Sequence, residues 1–305
     1  MFITKEMLVE KNACKDGVEW FDKHFPNGGD YQEVLNLATE HDNSSYALWG
    51  LNEFGTINTI LEVDELNSDH SVVFAGSIVS KGNININGNL VVGMNIKAGG
   101  DIIVDNDIKA GYHIKADGDI KAGEDIDAGV DIKAGNDIIA DNDINADNDI
   151  NAGGDIQVGC TIKAGYDIKA GNNINVGCSI IGGYIKAGFD IMAGDDIKTK
   201  YIETKFNIEA GNNIEVTYDI TGKDIKAGND IKTGYYIKAG NDIKAGKDII
   251  AGINIKAGGD INIGKDNGIY AGLSLPISDK KYATITAKTK PNNIIVGTFV
   301  PNDDC

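Results

Sequence analysis

DIKAGNDIIADNDINADNDINAGGDIQVGCTIKAGYDIKAGNN, residues 131–173, is the stretch that decides the fold. Isoleucine recurs at 132, 138, 144, 150, 156, 162 and 168, and two residues after each stands alanine or valine. In an extended segment alternate side chains share a face. Ile132 therefore points the same way as Ala134, and Ile156 the same way as Val158. One large and one small inward side chain per hexad suits a narrow interior. The following position is most often glycine, read here as supplying the positive φ of a sharp corner. Each hexad is then one wall and one corner. Burying an isoleucine contributes roughly 1.5–3 kcal/mol, and one isolated wall has nothing to bury it against, so the walls must stack.

The same anchor extends outward in both directions. It falls at Val72, Ile78, Ile84, Leu90 and Ile96 and then at every sixth residue through Ile180. The spacing drops to five from Ile180 to Ile185, Ile197 to Ile202 and Ile220 to Ile225, and returns to six as far as Ile261. If three walls close one coil, residues about 18 apart lie above one another. The position four after the anchor on every third rung is Met94, Tyr112, Val130, Asn148, Tyr166, Tyr184, Tyr201, Tyr218, Tyr235 and Ile253. Tyrosine gathers on this corner, while Phe189 and Phe206 fall on a second and Cys160 and Cys178 on a third. The expected fold is mainly β: a single-stranded parallel β-helix, three-walled, with about 18 residues per coil.

The flanks have a different character. Residues 1–55 read as a helical head, with helix starts at Thr4, Asp16, Asp30 and Ser44 and a break at FPNGG, 25–29. The solenoid is assigned to 56–275. Residues 276–305 open with Pro276 and contain YATITAKT and NIIVGTFV, expected as a β-hairpin. Head and hairpin are read as caps, since an open coil exposes unpaired backbone.

The net charge is −18, with no arginine, and residues 1–70 hold 14 acidic against 4 basic side chains. Such a field repels phosphate backbones, so direct nucleic-acid binding is not expected. The N-terminus lacks the apolar core of a secretory signal and no run is long enough to span a bilayer, so no membrane role is expected. Cys14, Cys160, Cys178 and Cys305 show no metal-ligand spacing and read as reduced thiols of a cytoplasmic protein.

The hexads resemble those of hexapeptide-repeat parallel β-helix proteins, and the three-walled coil with its I-x-A walls is similar to the polymer-forming bactofilins. That resemblance implies a structural, self-associating rod. It also raises an acyltransferase of the hexapeptide class, with His113 as the general base. In those enzymes, however, the small inward residue precedes the anchor by two, whereas here it follows by two. The segment from Glu10 to Gly28 (EKNACKDGVEWFDKHFPNG) resembles a short N-terminal module of phage and bacterial proteins, which implies no chemistry. G-N-D-I also resembles part of a calcium-binding nonapeptide repeat, though the period here is six. Asp141, Asp143, Asp147 and Asp149, where lysine is missing, are the calcium candidates it suggests.

The expected function is non-enzymatic, with no cofactor and no metal. The chain is read as a scaffold or protein-binding rod whose aromatic corner, Tyr112, Tyr166, Tyr184, Tyr201, Tyr218 and Tyr235 beside Phe189 and Phe206, contacts a protein partner or a second copy. The alternative is an acidic inhibitor that mimics DNA. The Asp and Lys flanking each anchor, such as Asp107 and Lys109, read as solvated charge rows. Cys14, Trp20 and His24 read as core and helix-end residues rather than as a catalytic set.

Overall fold

The computed structural model describes residues 1–276, 279 and 283–302. Tyr282, which opens the first expected C-terminal strand, and Cys305 lie outside the described residues. The chain divides into two compact units, 1–135 and 136–305.

The first unit begins with four helices: α1 Lys5–Glu10, α2 Lys15–His24, α3 Tyr31–Glu40 and α4 Ser44–Phe54. The Asp30 carboxylate caps α3 by accepting from the Gln32 and Glu33 amides. The cap of α2 is the Cys14 sulfur, which accepts from Gly17 N–H, rather than Asp16, which lies inside the helix. Thr4 precedes α1 without a side-chain cap bond. Gly55 ends α4 at φ +75°, a left-handed conformation that glycine adopts without Cβ strain. Phe21, Tyr31, Leu35 and Ala47 form the head's core together with Val73 and Ala75 of the first coil.

The head closes that coil through one side chain. Gln32 Nε2 donates to Val73 O at 2.8 Å and Ala75 N–H donates to Gln32 Oε1 at 2.9 Å, so a single amide satisfies both groups of an open strand edge. Gln32→Ala is therefore expected to cost about 1–3 kcal/mol, because both backbone groups lose their partner. Chemical denaturation would register that loss, together with faster hydrogen exchange at the Ala75 amide.

After a short antiparallel pair in the head, Phe2–Ile3 with Gly29–Asp30, the solenoid strands begin at Ile60, and in each unit they build three parallel walls. In the first unit Ile84, Ile102 and Ile120 stack in register, as do Leu90, Ile108 and Ile126, and Ile96, Ile114 and Ile132. In the second unit the first wall runs from Ile138 and Ile156 to Ile261, the second from Ile144 and Ile162 to Ile269, and the third from Ile150 and Ile168 to Ile285. These isoleucines are almost all completely buried, and the alanines two residues on are buried too. The expected 18-residue, three-walled coil is what the chain forms.

The five-residue rungs preserve the stack. Ile185 lies on Ile168, 17 residues away, because the strand Ile180–Ala187 runs straight through the corner. The inward residue of these rungs changes accordingly. It is Gly182 or Gly222, where an added Cβ would meet an isoleucine methyl at about 3 Å, or Thr199, whose hydroxyl donates to the Gly183 and Tyr201 carbonyls.

Two sequence expectations require correction. From Gly93 to Gly264 the corner glycines are not left-handed: among the described residues the glycines with positive φ are Gly28, Gly55, Gly88, Gly272 and Gly297, of which Gly88 and Gly272 stand at corners outside that span. Asp105, Asp117, Asp141 and Asp147 occupy the same corner position and are likewise absent from the left-handed region. At the glycine corners the coil below comes close, whereas the corners that hold aspartate accommodate a Cβ. A Cβ on Gly99 would lie 2.1 Å from Lys81 O, and one on Gly177 would lie 2.0 Å from Gly159 O, in the coil below. The second correction concerns the C-terminus. Thr284–Ala287, Ile294–Val296 and Thr298–Pro301 do not fold back as a hairpin. Each pairs in parallel, on Ile255, on Ile269 and on Thr284–Ala287, because their inward residues continue the existing walls. Among the described residues the last strand ends at Pro301, which has no N–H to donate, and Asn302 Nδ2 reaches Ala257 O and Gly258 O.

The residue before most anchors is also structural. Its side-chain oxygen accepts from the backbone N–H one coil on: Asp101 from Asp119 at 2.8 Å, Asp137 from Asp155 at 2.8 Å, Asp155 from Asn173 at 2.8 Å and Asp190 from Asn207 at 2.9 Å. At this bend the carbonyl ladder is interrupted, and an Asx oxygen supplies the missing acceptor.

Candidate functional site

The second unit carries a column of tyrosine rings at the bend between its second and third walls. Ring centroids lie 6.5 Å apart for Tyr184 and Tyr201, 4.6 Å for Tyr201 and Tyr218, and 5.6 Å for Tyr218 and Tyr235. The last two pairs are stacked, at 18° and 6°. The short rungs shape this column. Losing one residue leaves the next isoleucine in place but moves the tyrosine before it, so Tyr184 pairs with Asp167 instead of Tyr166, and Tyr184 then pairs with Tyr201. Tyr166 is consequently not stacked on Tyr184; Gly183 N–H bonds to its carbonyl instead. Tyr166 is the most exposed of the set, at 61%. In the first unit, Tyr112 lies between Met94 and Val130 and is exposed without an aromatic neighbour in its corner.

Polar contacts fix the start of the column. Tyr184 OH donates to Glu203 Oε2 at 2.6 Å, Lys186 Nζ approaches Glu203 at 3.9 Å, and Lys169 Nζ lies 5.9 Å from the Tyr184 ring centre. Burial, and then the hydrogen bond to the Glu203 carboxylate, push the Tyr184 phenol up to about 12. At the next bend Phe189 and Phe206 lie 5.0 Å apart, and Thr204 beneath them donates to Phe189 O. Beside these rings Ile181, Met192 and Tyr236 are also exposed, a feature the sequence reading missed. Their signal was available: each occupies an outward position filled by charge or by a polar residue in most coils. Apolar and aromatic side chains thus stand exposed at two bends and on adjoining walls of a unit whose outer walls are otherwise mostly polar. Rigid Tyr, Phe and Met surface of this kind is enriched at protein interfaces.

The other candidates have structural duties. Asp143 Oδ1 accepts from Thr161 N–H and Asp149 Oδ1 from Asp167 N–H, which makes both members of the corner ladder. Among the described residues no group of three or more His, Cys, Asp or Glu side chains is placed to hold a metal. His113 Nδ1 lies 3.1 Å from Asp131 Oδ2, an orienting carboxylate the sequence did not reveal, yet the ring is exposed on a wall. Cys14 is a helix cap, and His24 Nδ1–H donates to Trp20 O at 2.7 Å while its ring packs on Trp20. The flanking charges do pair, as in Lys109 with Asp107 at 3.1 Å and Lys232 with Asp230 at 3.0 Å. No helix is long and apolar enough to cross a membrane, among the described residues.

Two family models match the chain. Residues 135–290, just over half of it, match the Flagellar Assembly Protein A beta solenoid domain, and residues 1–52 match the YdhT N-terminal domain. No curated protein and no solved structure matches it.

Proposed function

Because this chain belongs to the Flagellar Assembly Protein A β-solenoid family, we propose that it is a non-enzymatic structural element that self-associates through the aromatic column of its second unit. A structural or protein-binding role is what membership of a solenoid family supports. The finer reading rests on one observation: a column of four tyrosine rings in contact, with Phe189 and Phe206 at the neighbouring bend, stands beside walls otherwise patterned with charge. The role in assembly is carried over from the family's description, and the likeness to polymer-forming bactofilins points the same way. The reading places the protein in the cytoplasm. A DNA-mimicking inhibitor fits less well, because Lys–Asp pairs along the walls break up a uniform negative field.

Replacing Tyr184, Tyr201, Tyr218 and Tyr235 together with serine is expected to weaken association at least tenfold, as the loss of an aromatic hot spot does. The β-sheet circular dichroism should persist, since the isoleucine walls are untouched. Sedimentation velocity on both proteins tests this. A wild type that stays monomeric at every concentration, or a variant that assembles equally well, would refute self-association through this surface.

A further inference from the structure

We propose that Cys160 and Cys178 form a dithiol site that small-molecule disulfides oxidise to an intramolecular bridge between successive coils. The two sulfurs are 3.8 Å apart at the bend between the first and second walls of the second unit. Cys178 N–H donates to Cys160 O at 2.8 Å, so the backbones are locked side by side as adjacent rungs. Rungs are spaced by about 4.8 Å, inside the window of roughly 4.4–6.8 Å that a disulfide requires between α-carbons. Closing the remaining gap of about 1.8 Å, to an S–S bond of about 2.0 Å, takes rotation about χ1 and no backbone movement. Asn142 precedes the pair in this corner column and Asp195 follows it, so the sulfurs have each other and no third thiol in the stack. Cys160 is exposed and Cys178 half-buried, which gives a reagent access.

The two positions divide the chemistry. The Cys178 thiol is held above the usual range first by donating its proton to the Cys160 sulfur, then by desolvation and by the nearby carboxylates of Asp195 and Asp143. Cys160, the more exposed of the two, is the first nucleophile. Its thiolate attacks one sulfur of oxidised glutathione, forms a mixed disulfide and releases one glutathione thiolate. The Cys178 thiolate then attacks the Cys160 sulfur, breaks the mixed disulfide and releases the second glutathione. Two protein thiols lose two protons and two electrons, and one oxidised glutathione becomes two reduced. Fixed proximity makes the second step effectively unimolecular, so the mixed disulfide does not accumulate. The bridge links residues one coil apart and should raise the melting temperature of the oxidised chain by about 5–10 °C.

The test uses the full-length chain, equilibrated with reduced and oxidised glutathione at graded ratios, alkylated and mapped by mass spectrometry. The expected product is a Cys160–Cys178 linkage with no retained glutathione, both thiols disappearing at one ratio. In Cys178→Ser the remaining Cys160 should stop at the mixed disulfide and keep one glutathione. A wild type that carries glutathione on both residues, links Cys160 to a second copy, or leaves both thiols free under conditions that modify the exposed Cys14 would overturn the proposal.

Discussion

Changing Gly171 to alanine is expected to lower stability by about 3 kcal/mol, a large effect for one methyl group. The added carbon would lie 1.9 Å from Gly153 O and 2.9 Å from Gly153 C, and Gly188 above repeats the arrangement at 1.8 Å from Gly171 O. Every obstructing atom is backbone, so no rotamer change relieves the clash. The coils must separate by more than about 1 Å, at the expense of the bond from Gly171 N–H to Ala152 O and of isoleucine contacts on either side. A thermal melt should show a drop on the order of 6–12 °C. Lys169→Ala on the outer wall nearby should remain within about 0.5 kcal/mol of wild type. Equal stability of Gly171→Ala and Lys169→Ala would mean that the corner has more room than its geometry indicates.

The second large effect is expected from a substitution series at Asp155. Its Oδ1 accepts from Asn173 N–H at 2.8 Å and from Asn173 Nδ2 at 3.1 Å, and its own N–H donates to Asp137 Oδ1 at 2.8 Å. Asp155→Ala orphans a part-buried N–H and should cost about 1–3 kcal/mol. Asp155→Glu should be nearly as damaging, since the extra methylene carries the carboxylate past the amide it must reach. Asp155→Asn keeps the acceptor and removes one charge from a stacked acidic row, so its stability should equal or exceed wild type. Urea denaturation midpoints at constant m value rank the three. Glutamate performing as well as aspartate would show that the charge, and not the acceptor's reach, is what matters.

That series marks the boundary of what the sequence disclosed. The periodicity of Ile132, Ile138 and Ile144, and the tyrosines recurring at 17 or 18, determine wall, corner and coil, because those properties depend only on counting residues. Atomic distances do not follow from counting. The Asp and Asn before each anchor looked like surface charge, although a clue was present: glutamate and lysine never occupy that position between Val72 and Ile261, where Asp, Asn, Ser and Thr dominate. Corner glycine was assigned to dihedral freedom because φ cannot be inferred from spacing, whereas the approach of the coil below explains it. The aromatic column was legible from Tyr184 to Tyr235. Tyr166 fell out of it because a five-residue rung shifts the following tyrosine by one position, a displacement visible only in the pairing of Tyr184 with Asp167. The C-terminal strands alternate as a hairpin would, and alternation does not distinguish antiparallel return from one more parallel coil.

Isoleucine stacked on isoleucine also constrains how such a gene can grow. Within the second unit, duplicating eighteen codons adds a storey and leaves every ring and thiol on its own side of the building. Duplicating six turns everything downstream by a third of a revolution, so that a phenol row is handed to a different façade midway up. Length is therefore cheap to vary and orientation is not, and a surface patch can be relocated wholesale without altering a single residue inside it.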